Sequence, residues 1–279
     1  MTCHTQSITS NGSPTLVSRV LEHQSVGSSK SIKSNKNLEP CPTATIGYVG
    51  HSQGTLLMFG LLSSRPELND VIKPFIALAP VSYVGHIRSP IRYIAHNPVI
   101  MDYLKRKGGP FLMKTDLLKK LSHYCPYRVI QQLCESVTFF FSGPDSRQFN
   151  STRFPVYVSH TPAGTSTQNI LHFSQLVKSK KMTFYDYGSK INKRKYGSKD
   201  PPVYPIENIT NKHIALISSL NDWLADPKDV QMLRKKLKVK LVDDHVIPDK
   251  HWNHLDFIWA IQTGKVVNSR VIQLLKDHI

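Results

Sequence analysis

Apolar positions crowd into short, dense runs in two parts of the chain and thin out between them. Ile46 to Val49 is a compact apolar run with β character, Thr55 to Leu62 an apolar stretch of helix formers, and Val71 to Ala79 a nearly continuous run ending at Pro80. The spacing predicts a strand over 45–49, a helix over 54–64 and a buried parallel strand over 71–79, together a βαβ unit. Dense runs return at His213 to Ser218, predicted as the next core strand. A helix over Pro227 to Leu237, a short strand over Lys238 to Val242 and a last helix entered at His254 and continuing to Leu275 complete the pattern.

Between the two parts, from Val81 to about Asn211, the texture is short amphipathic pieces, prolines and aromatic clusters such as Phe139-Phe140-Phe141. Roughly 130 residues between consecutive core strands exceed any ordinary connection, so this stretch is expected to form a mostly helical cap over the carboxyl edge of the sheet. The expected division is therefore a tail at 1–42, a core at 43–80 and 212–279, and a cap at 81–211. Ser, Asn, Thr and Lys dominate the tail, with room for one short helix around Leu16 to His23.

The break between the first strand and helix reads Gly50-His51-Ser52-Gln53-Gly54. A G-x-S-x-G turn from strand to helix is the nucleophile elbow, which lifts the serine hydroxyl clear of the sheet. Gly50 and Gly54 would flank it because side chains there would collide where strand and helix pass closely. The backbone N–H of Gln53, at the positive end of the helix, is placed to stabilise an oxyanion formed at Ser52. An ordinary βα turn is the competing reading.

Beyond the third core strand lie three acids. Asp226 is an N-cap, Pro227 takes the first helical position and Asp229 sits in the first turn, which gives both acids structural work. Asp222 has none and lies just past a strand end. Among His245, His251 and His254, the last stands where a loop enters a helix rich in core residues, and it is preferred on that position. Nucleophile, acid and base then fall in the order Ser52, Asp222, His254, which is the α/β-hydrolase order.

Charge changes the picture only for partners. Thirty-six Lys and Arg against 19 Asp and Glu give +17, which favours anionic partners such as nucleic acid, acidic phospholipid or a negatively coated lipid droplet. The clusters Lys178-Ser179-Lys180-Lys181 and Lys193-Arg194-Lys195 lie in polar stretches without the stacked aromatics of a single-strand binder, so a solvated basic face is expected and nucleic acid is not. Four cysteines lack zinc-ligand spacing, and no metal is expected. Cys125 and Cys134 lie nine residues apart, close enough to bridge, and a bridge would imply an oxidising compartment. Sequons at Asn11, Asn150 and Asn208 point the same way, Asn11 being the poorest because Pro14 follows it. Residues 1–40 hold no signal-peptide core, and no apolar run is long enough to span a bilayer.

From Thr45 onward the chain resembles the acid lipase family of lysosomal acid and gastric lipases. The resemblance is carried by Gly47-Tyr48-Val49-Gly50-His51-Ser52-Gln53-Gly54-Thr55, Leu78-Ala79-Pro80-Val81, the run from His160 to Asn169, Tyr185-Asp186-Tyr187-Gly188-Ser189, the run from Asn221 to Pro227, and the run from Asn253 to Trp259. They fall in the family's order within a stretch, from Thr45 to the C-terminus, that is about five sixths of the chain. The resemblance implies an α/β-hydrolase fold with Ser52, Asp222 and His254 as nucleophile, acid and base. It also implies Gln53 as an oxyanion donor and a cap disulfide between Cys125 and Cys134. Hydrolysis of triacylglycerols and cholesteryl esters at a lipid–water interface is implied, in lysosomes or secretions, without a cofactor. The family has a longer segment before its elbow, with a signal peptide, the first strands and an H-G-L turn that supplies a second oxyanion N–H. About forty polar residues stand here instead. A truncated sheet with the elbow strand at its edge is therefore expected. Loss of one oxyanion donor costs on the order of a hundredfold in turnover, so an impaired, lipid- or partner-binding protein is the alternative.

Overall fold

The computed structural model describes residues 8–9, 45–111, 120, 124, 127–144, 147–161 and 163–278. At its centre is a five-stranded, wholly parallel sheet, an α/β-hydrolase core. In chain order the sheet strands are β1 (Ile8–Thr9), β2 (Ile46–His51), β3 (Ile72–Leu78), β6 (Ile214–Ser218) and β7 (Asp243–Val246), which is also their spatial order. A separate antiparallel pair joins β4 (Pro110–Phe111) to β5 (Thr165–Ser166).

Side chains alternate across a strand, so the two central strands sort their residues onto two faces. Ile76 and Leu78 of β3 join Ala215 and Ile217 of β6 in one buried cluster with Trp252, Phe257 and Val271. Phe75, Ala77, Ile214 and Leu216 face the other way, against Phe59 and Leu62 of helix α1 (Gln53–Ser64) and Leu233 of helix α8 (Pro227–Lys236). Helices on both faces account for the unbroken apolar runs of these strands.

Between β3 and β6 the chain passes through α2 (Ile91–His96), α3 (Pro98–Lys107), α4 (Arg128–Ser142), α5 (Phe154–His160), α6 (Thr167–Ser179) and α7 (Ser189–Tyr196). Helices α2 and α3 pack on α6. Cys134 on α4 is disulfide-bonded, whereas Cys125, its expected partner, lies outside the described residues. Asn208 is exposed and Asn150 half-buried; Asn11 and the Leu16–His23 stretch also lie outside.

Three expectations are corrected. Ile8 and Thr9 pair in parallel with Tyr48 and Val49, so the elbow strand is not the sheet edge there. The stretch Lys238 to Val242 is not a strand. Val239 and Leu241 reach the core from a loop while Lys238 and Lys240 stay exposed, an alternation that imitates β structure. The strand is the more polar β7, which carries His245 and runs beside β6. Finally, no single helix runs from His254 to Leu275. The chain forms α9 (Asp256–Trp259), breaks, passes a π-helical turn at Gly264–Asn268 and resumes as α10 (Ser269–His278). The break lets the Ile261 N–H donate to the Gln148 carbonyl, a bond to the insertion that a continuous helix could not make.

Candidate active site

Strand β2 ends at His51, and Ser52 turns the chain with φ 54° and ψ −120° before α1 begins. Positive φ at a residue with a side chain costs about 1–3 kcal/mol and persists only where the surroundings impose it. Here Ser52 N–H donates to the Leu78 carbonyl at 3.0 Å, continuing the ladder into the turn. A Cβ at Gly50 would lie 2.8 Å from the Tyr48 ring and 3.1 Å from the Gly54 backbone, so glycine is required. Gly54 differs from expectation. Its Cβ would meet nothing nearer than the Tyr48 hydroxyl at 3.5 Å, because that ring turns only its tip towards the helix.

Asp222 is buried beyond β6. Its Oδ1 accepts the N–H groups of Leu224 at 2.9 Å and Ala225 at 2.7 Å, which hold the carboxylate in one orientation. The neighbouring acids have the structural work expected of them. Asp226 accepts from Lys228 N–H and from Arg88, and Asp229 accepts from His86 backbone and ring.

His254, also buried, joins the two sides. Its Nδ1 lies 2.8 and 3.0 Å from the Asp222 carboxylate oxygens and its Nε2 lies 2.7 Å from Ser52 Oγ. With the proton on Nδ1 donated to the carboxylate, Nε2 accepts from the serine hydroxyl. His245 sits on β7 and His251 in the loop that follows it; of the three it is His254 that meets Ser52. Beside Ser52 opens a cavity of about 260 Å3, walled by Leu56, Val81, Ile91, Met101, Phe173 and Leu224.

No protein-family model matches the chain. Among curated proteins, lipase lipl-1 of Caenorhabditis elegans is 37% identical over 258 residues, covering 88% of this chain and 62% of that protein. Mouse gastric triacylglycerol lipase is 38% identical over 83% of this chain and 58% of its own length. Human lysosomal acid lipase/cholesteryl ester hydrolase is 38% identical over 83% and 57%. The chain thus spans about three fifths of the length of the relatives it matches. By these matches the chain resembles the acid lipases, gastric and lysosomal, over most of its own length. Among solved structures, a monoacylglycerol lipase from Paleococcus ferrophilus aligns over 84% of this chain and 69% of its own, with TM-score 0.46 and 15% identity.

Two more residues stand in the site that spacing could not single out. Thr55 Oγ1 donates to the Ser52 carbonyl at 2.7 Å and accepts the Val81 N–H at 2.7 Å, tying the elbow to the loop after β3. His51 donates from Nε2 to the His254 carbonyl at 3.0 Å. Burial first, and then the adjoining His254, lower the His51 pKa from 6.5 to about 3. It therefore stays neutral beside the base. The Gln53 side chain reaches a partner unseen in the sequence, donating from Nε2 to Asn169 Oδ1 of α6 at 2.7 Å. Among the described residues no cluster of three or more His, Cys, Asp or Glu could hold a metal ion.

Proposed function

We infer that the chain is a serine ester hydrolase acting on neutral lipid esters, triacylglycerols and cholesteryl esters among them. The observation that carries this is the continuous hydrogen-bonded line from Ser52 Oγ through the His254 ring to the Asp222 carboxylate. In the acylation step Ser52 Oγ attacks the ester carbonyl carbon while His254 Nε2 takes its proton. Asp222 holds the imidazole in the right tautomer and stabilises its cation. The negative oxygen of the tetrahedral intermediate faces the free N–H of Gln53 at the start of α1. Collapse breaks the bond to the alcohol, which leaves with the proton from His254. Water, deprotonated by the same ring, then cleaves the acyl-enzyme and releases a fatty acid. The apolar walls of the cavity beside Ser52 suit an acyl chain.

The disulfide at Cys134 and the sequons at Asn150 and Asn208 support a lysosomal or secreted glycoprotein. No described helix is long and apolar enough to cross a membrane. Neutral lipid esters are insoluble, and a lipid–water interface is where such a substrate would be met. The competing reading is a lipid-binding protein with impaired turnover. A fluorophosphonate probe separates the two. Labelling of folded protein at Ser52, with turnover of a triacylglycerol emulsion that falls by about 10⁴-fold or more in Ser52→Ala, is the expected result. Folded protein that takes no label fails the hydrolase reading.

A further inference from the structure

The loops that carry Asp222 and His254 leave different strands and have no sequence neighbourhood in common, yet both are tied to one turn of the insertion. Helix α4 ends at Ser142, and the Ser142 carbonyl accepts the Trp223 N–H at 3.2 Å and the His254 N–H at 3.3 Å. The next carbonyl, Gly143, accepts from Asn253 Nδ2 at 3.0 Å, and the one after, Pro144, accepts from Asn221 Nδ2 at 2.6 Å. Three successive carbonyls thus hold the residues on either side of Asp222 and those at and before His254.

The fit leaves no room for a side chain. Gly143 sits at φ 127°, and a Cβ there would meet the Asn221 carbonyl oxygen at 2.1 Å and Asn253 Cβ at 3.0 Å. Ser142, Gly143 and Asn253 are buried, and the Ser142 hydroxyl is turned back onto the Thr138 carbonyl, so the turn presents only backbone to the two loops.

We propose that the carboxyl end of α4 is the common seat that sets the alignment of acid and base, and that Gly143 is its positioning residue. The proposal rests on the reading of Ser52, Asp222 and His254 as the catalytic groups. A histidine fixed through its backbone N–H to the same oxygen that fixes the acid's loop keeps its ring at one distance from that acid. Two loops held separately would drift relative to each other. Displacing reacting groups by about 1 Å costs roughly a hundredfold in rate, so a seat made of short backbone contacts is effective even though it touches no substrate. Helix α4, which ends in this seat, is itself disulfide-bonded at Cys134.

The test is Gly143→Ala in the full chain, with folding checked by thermal melting. The downfield proton resonance of the His254 Nδ1–H in its bond to Asp222 is the first readout, assigned by its loss in His254→Gln. In Gly143→Ala that resonance is expected to shift or broaden, while kcat on a soluble short-chain ester falls by about tenfold to a hundredfold and KM stays within about twofold. A folded variant that keeps both the resonance and kcat overturns the proposal. Should Gly143→Ala not fold, Asn221→Ala removes, from a half-buried position, the bond to Pro144 together with the 3.1 Å bond from the same Nδ2 to the His251 carbonyl. A smaller displacement of the same resonance is expected there, and an unmoved resonance overturns the proposal equally. If the unsubstituted protein turns over no ester, the proposed function fails on its own, while the resonance still decides the role of Gly143.

Discussion

Gly50 and Gly54 stand in symmetric positions of the elbow pattern, but the packing around them is not symmetric. The Cβ of Gly50→Ala would press on the Tyr48 ring and on the Gly54 backbone, so that variant should lose about 1–3 kcal/mol of unfolding free energy. In Gly54→Ala the new methyl makes ordinary contact with the Tyr48 hydroxyl and gains helix propensity, so its stability should stay within about 1 kcal/mol of the parent. Urea titration of the two variants side by side decides this. His51 offers a second residue-level test, through pH. Its folded pKa of about 3 lies below the unfolded 6.5, so between those values the unfolded chain takes up a proton that the folded one refuses. Stability contributed by the neutral ring is complete above pH 6.5 and is lost as pH falls towards 3. His51→Gln keeps a donor for the His254 carbonyl and should flatten that part of the stability-against-pH curve. His51 retains some exposed surface, so the direction of the change is the quantity to read.

At the scale of elements, the sequence made legible those features whose causes are local. The helix start at Asp226-Pro227, the strand-turn-helix around Ser52 and the apolar runs of β3 and β6 each depend on residues adjacent in the chain. They form where expected to within a residue or two. What sequence reading misplaced depends on partners far away. Strand β7 is polar because it is the far edge of the sheet, and its acids are held by arginines on helices: Asp244 by Arg234 and Asp243 by Arg270. Removing one such partly exposed pair, Arg270→Ala, should lower the unfolding free energy by about 1 kcal/mol, less at high salt, as urea titrations at two ionic strengths would register. The seat at Ser142 and Gly143 was illegible for the same reason. A glycine after a helix reads as an ordinary C-cap, and nothing nearby announces that two distant loops end on it.

The molecule as a whole carries +17, and part of that charge flanks an apolar surface. Tyr93, Val99 and Tyr103 on α2 and α3 are more than 60% exposed, with Arg92 and the run Lys105-Arg106-Lys107 on the same two helices. The other faces of these helices, through Ile91 and Met101, wall the cavity beside Ser52. Vesicles containing acidic phospholipid should therefore retain the protein more strongly than zwitterionic ones, and added salt should remove most of the difference. Equal retention on both would mean that the charge plays no part in interfacial contact.

The pairing of Ile8–Thr9 with Tyr48–Val49 makes the outer flank of the nucleophile strand a guarded but lightly bolted door. Two residues of ladder are a small barrier to exchange. An extended peptide able to run the full length of β2 could displace them and lengthen the sheet by a foreign strand, next to the turn that presents Ser52.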